Sequence, residues 1–88
     1  MDPVIEKEIE KLAAAVPEIS EEIDLASEED ATHEDIERAK GLAADFLSRY
    51  DGLLRRLGSE DKLEVQRTVG LKVERLKGKL TQLREAPE

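Results

Sequence analysis

The sequence predicts an all-α fold, a small helical bundle of three helices running up, down and up, built on an antiparallel helical hairpin over residues 32–57 and 59–84. Three observations predict it. Apolar residues recur at spacings of three and four in three separate stretches. A Gly58-Ser59 step joins the second and third stretches with almost no loop. Aromatic residues make up only 2% of the chain and cysteine is absent, so a core must come from Leu, Ile, Val and Ala, which suits helix packed on helix. At 88 residues the chain suffices for one small domain, 1–88. A rival arrangement pairs two hairpins from two chains into a four-helix dimer, with the first segment peripheral or exchanged.

The first element is a kinked acidic helix over residues 1–26. Asp2 is a favoured N-cap, and Pro3 fits the first helical position because that N–H has no partner in any case. Ile5, Ile9, Leu12, Val16, Ile19, Ile23 and Ala26 alternate fours and threes. Pro17 interrupts the pattern chemically by removing a backbone donor and crowding the carbonyl of Ala13, which predicts a bend. The apolar phase nevertheless continues through it, whereas a loop has no reason to keep helical register.

Residues 27–31 form an acidic link. Thr32 and Asp35 have capping-box spacing, which starts the second helix and places His33, Glu34 and Asp35 in its first turn, where carboxylates complement the helix dipole. Chemistry in the link fails on inspection. Asp24 to Asp35 has the length of a calcium loop, but Ala26 and Glu29 stand where a ligand and a glycine are needed. Asp30 and His33 match half of a two-metal site, and the chain has one histidine. His33-Glu34 resembles the start of a phospho-accepting histidine motif, but it sits at a helix start rather than mid-helix, and the residues after it do not fit.

The second helix carries Ile36, Ala39, Ala43, Phe46, Tyr50, Leu53 and Leu57 as an unbroken heptad seam, which Leu42, Leu47 and Leu54 widen. Gly58 is expected to take the left-handed C′ conformation and Ser59 to cap the third helix. There Val69, Val73, Leu76, Leu80 and Leu83 keep heptad phase and Val65 lies on the same side. Lys62 and Gln66 fall in the seam near the turn, so that end is expected to be wetter. Leu63, Arg67, Gly70, Leu71, Glu74 and Gly78 fall away from the seam, where Leu63 and Leu71 have no explanation within the hairpin.

The net charge of −8 hides a division. Residues 1–37 hold 14 acidic and 2 basic residues, and residues 38–88 hold 8 acidic and 12 basic. The two parts can attract each other, within a chain or between chains, although the simpler expectation is that the charges solvate helix faces. No Gly-rich phosphate loop, nucleophile elbow or metal-spaced histidine cluster is present, so no catalytic residue, cofactor or metal is assigned.

The functional expectation is a non-catalytic protein–protein interaction or adaptor module acting through helix faces, with Leu42, Leu47, Leu54, Leu63, Arg67 and Leu71 as the interaction residues. Its partner is another protein or a second copy of the chain. The alternative is a nucleic-acid-associated regulator whose basic hairpin is masked by the acidic first helix. The scatter of the cations around both helices, without interleaved aromatics, weighs against it. No apolar run is long enough to span a membrane and no leader is evident, which makes the cytoplasm the default compartment.

Overall fold

A computed structural model describes residues 1–85 of the chain; residues 86–88, which the single-domain expectation includes, lie outside the described residues. The described residues form an all-α bundle of three helices. Helix α1 is Pro3–Ala26 and α2 is His33–Arg55. Helix α3 comprises Ser59–Val65, a π-helical turn Gln66–Gly70, and Leu71–Glu85.

Helix α1 starts as its sequence dictates. The Asp2 carboxylate accepts the Val4 N–H at 2.8 Å, and Pro3 occupies the first turn. The helix passes through Pro17 without interruption. Pro17 is itself exposed, so the hydrogen bond it removes is lost on a water-accessible face and not in the core. At the other end Ser27 closes the helix, its N–H reaching the Asp24 carbonyl and its hydroxyl donating to the Ile23 carbonyl at 2.8 Å.

The capping box at Thr32 is complete. Asp35 N–H donates to Thr32 Oγ1 at 3.1 Å, and Thr32 N–H donates to the Asp35 carboxylate at 3.0 Å. The hydrogen bonds from Thr32, the backbone one first, hold the Asp35 carboxyl below its ordinary pKa, with a further contribution from Arg38.

The turn between α2 and α3 differs from expectation. Helix α2 ends at Arg55, two residues short of Leu57, and the N–H groups of Arg56 and Leu57 close back onto Leu53 and Leu54. Gly58 has φ −72° and serves as the N-cap of α3, while Ser59 is its first helical residue and no side chain caps it. The turn is made by i→i+3 closure at negative φ, so the left-handed glycine is not needed.

The second difference lies in α3. The expected seam placed Lys62 and Gln66 inward. In the structure Val65 is buried and Gln66 is exposed. The π turn explains the change. It accommodates one extra residue, so everything before it rotates by about one residue relative to everything after it. The buried series Val65, Val69, Val73, Leu76, Leu80, Leu83 therefore forms one continuous stripe, and the polar Gln66 is moved out of it.

That stripe packs with Leu12, Val16, Ile19, Ile23 and Ala26 of α1 and with Ala39, Ala43, Phe46, Tyr50 and Leu53 of α2. Ile5, Ile9, Ile36, Leu47, Leu54 and Leu57 flank it, half-buried. No polar or charged residue among those described is buried. The Phe46 and Tyr50 rings stack, with centroids 6.5 Å apart.

Two ion pairs between helices fix the directions. Arg56, just after α2, pairs with Glu8 near the start of α1, so α1 and α2 are antiparallel. Lys79 Nζ, late in α3, lies 2.9 Å from the Asp24 carboxylate and 2.7 Å from Ser20 Oγ, late in α1, so α1 and α3 are parallel. The result is an up-down-up bundle of 44 × 19 × 16 Å. Both pairs are well exposed, and each is worth at most about 1 kcal/mol. They orient the helices, and apolar burial holds them together.

The π turn and the capping box can each be tested. Deleting Gln66 converts the α3 stripe into an uninterrupted heptad, so the variant keeps its helicity and melts no lower than wild type. In a straight α-helix the same deletion swings Val65 out of the core, and thermal unfolding would then register a loss of about 2 kcal/mol or more. Asp35→Asn removes a carboxyl whose folded pKa is depressed. That group's stabilisation is present above its unfolded pKa and lost as pH falls through its folded pKa, so the variant has a flatter acid limb in a stability-versus-pH titration.

Candidate interaction surface

Each helix buries one stripe, and the apolar residues off those stripes define the candidate surface. Large hydrophobics left exposed include Leu71 (65%), Leu63 (59%), Leu25 (48%) and Leu42 (42%). The π turn has a consequence for the first two. Eight residues apart, they would stand about 80° apart around a regular helix; the extra residue brings them to within about 20°. Leu63 and Leu71 thus share one outward ridge of α3, with the exposed Arg67 between them in sequence and 3.8 Å from Glu64.

The six expected residues do not form one patch. Leu47 and Leu54 are half-buried against the core. Leu42 lies on the other flank of the α2 seam, in a groove with Glu18, Ile19, Glu21 and Glu22 of α1. Leu63, Arg67 and Leu71 sit on α3. Gly70, expected on the outer side of α3, instead approaches α2: a Cβ there would lie 3.7 Å from the Tyr50 hydroxyl. Gly78 does face open space. Sequence reasoning missed Leu25, whose signal was its position one residue off the α1 stripe.

Charge follows the division seen in the sequence. A second depression, sharing Glu22 with the groove beside Leu42, is lined by Leu25, Glu28, Asp30 and Asp35 together with the cation Arg38. Lys72, Arg75 and Lys79 line the opposite groove, between α1 and α3, beside Val16 and Pro17. Helix α1 therefore does lie along basic residues of the hairpin, but it also contributes five buried residues to the core. Burial raises the Tyr50 hydroxyl pKa above its ordinary value, and the Glu74 and Asp51 carboxylates add to the effect.

His33 is exposed, 3.6 Å from Glu37. Among the described residues no three or more His, Asp or Glu side chains are grouped to hold a metal. No described helix is long and apolar enough to cross a membrane.

This architecture coincides with a known sequence family. The model of the embryogenesis-like protein helical domain matches residues 6–85, which spans all three helices. The chain belongs to that family. The embryogenesis-like protein of Arabidopsis thaliana is 34% identical over 86 residues, an alignment covering 94% of this chain and 49% of that protein. The chain thus spans about half the length of the curated relative it matches. No solved structure matches it. For the embryogenesis-like helical domain, the family description carries the fold and names no chemistry.

Proposed function

We propose that this chain is a non-catalytic interaction module of the cytoplasm that binds another protein, or a second copy of itself, by packing a helix face. The observation that carries the reading is the outward ridge of α3. Leu63 and Leu71 are each more than half exposed, and both are aligned by a π turn that the core alone explains only at Val65. Exposed large aliphatics set in line on a rigid helix, with an arginine between them in sequence, have the composition of a helix-face anchor. Leu42, on the opposite side of the bundle, is a second apolar contact with acidic surroundings. Leu47 and Leu54 are half-buried against the core and flank the α2 packing.

The test is Leu71→Glu in the full chain. Because Leu71 is exposed, the variant keeps wild-type ellipticity and melting midpoint while its retention of a protein partner, or of a second copy, falls by about tenfold or more. Unchanged oligomeric state together with unchanged partner retention removes the reading.

A further inference from the structure

The structure places two unpartnered apolar features on opposite sides of the bundle, and their charges are complementary. One is the α3 ridge. Its helix carries six cations and four carboxylates over residues 59–83; Glu60, Asp61 and Glu64 surround Leu63, so the basic part of the ridge is the part from Arg67 to Lys79 that carries Leu71. The other is the groove between α1 and α2, where the exposed Leu42 lies beside Glu18, Glu21 and Glu22, with the buried Ile19 at its floor. The stretch Glu18 to Asp35 holds nine carboxylates and no lysine or arginine. We infer that the groove of one copy receives the α3 ridge of a second copy, in a parallel, side-by-side, head-to-tail contact. The inference rests on the reading of the ridge as a binding face and names its partner.

Height and direction favour this occupant. The Asp24–Lys79 pair sets α1 and α3 parallel and level at those residues. Counting back eight residues on both, Leu71 is level with Val16; the Arg56–Glu8 pair sets Leu42 level with Glu22, about 9 Å further along. Arg67, four residues before Leu71, lies about 6 Å below it on the same helix, the separation between Glu22 and Glu18 on α1. A neighbouring copy shifted sideways and advanced about 9 Å along the axis therefore presents Leu71 to Leu42 and Arg67 to Glu18. No ion pair within the described residues engages Glu18, Glu21 or Glu22, which leaves them available to it. In a three-helix bundle the α1/α2 groove faces away from α3, so the contact is heterologous and extends from copy to copy without closing on itself. The net charge of −8 opposes approach at long range, but that repulsion is screened over about 8 Å at physiological ionic strength, and the local complementarity acts at contact.

Sedimentation equilibrium of the full chain tests it. The weight-average mass of wild type rises with concentration up to about 0.5 mM and falls back when salt is raised to about 0.5 M. Leu71→Glu removes the ridge, and Glu18→Lys/Glu22→Lys removes the groove; each variant alone is monomeric with wild-type ellipticity. Mixed, they leave one intact ridge and one intact groove, and form a 1:1 heterodimer that grows no further. Wild type that remains monomeric throughout overturns the inference, and any foreign partner lost on Leu71→Glu would then belong to the broader reading alone. A discrete wild-type dimer that survives Glu18→Lys/Glu22→Lys overturns it too, because the ridge would then pair with itself.

Discussion

The bundle depends on laying the α1 stripe into the groove between α2 and α3. Each helix is amphipathic, and none can keep its apolar side in water alone. Helix α1 contributes Leu12, Val16, Ile19, Ile23 and Ala26 to a core whose aromatics are confined to α2. Apart from Tyr50, the buried side chains among the described residues are purely apolar, so hydrogen bonding does little in the interior to specify register. Register comes instead from matched stripes, from the capping box at Thr32, and from ion pairs at the two ends of α1. The ion pairs contribute little energy, but they join an acidic helix to basic neighbours and so select one direction over the other.

The π turn belongs to the same logic. A straight helix through Gln66 would force a choice between burying Gln66 and leaving Val65 in water. Burying an unpaired amide is expensive, and so is exposing a valine that three helices could cover. One residue of local underwinding avoids both. Gly70 sits at the end of that turn beside the Tyr50 hydroxyl, where a Cβ would make ordinary van der Waals contact at 3.7 Å.

Much of this is legible in the residues. Asp2, Pro3 and the Thr32–Asp35 box mark helix starts through local hydrogen bonding, which depends on few atoms. The apolar phase through Pro17 foretells a helix that survives its proline. The departures have a common cause. At the Gly58 turn and the Gln66 register the commonest local geometry points one way, and packing at a distance decides the other: closure of a tight hairpin in one case, burial of Val65 in the shared core in the other. The candidate surface is less legible for the same reason. Leu42, Leu47 and Leu54 all lie off the seam in sequence, yet only the positions of the neighbouring helices decide that Leu47 and Leu54 are half-covered and that Leu42 opens onto carboxylates. Membership of the embryogenesis-like helical family is not legible from seam and caps, which many unrelated hairpins share.

The chain has no tryptophan and one tyrosine, and that tyrosine touches the irregular turn of α3. Its ultraviolet emission is therefore an intrinsic reporter for the one place where the third helix departs from regular winding. Any event that straightens or tightens that turn alters the surroundings of a single fluorophore, with no label added and no second aromatic emitter except Phe46 stacked beside it.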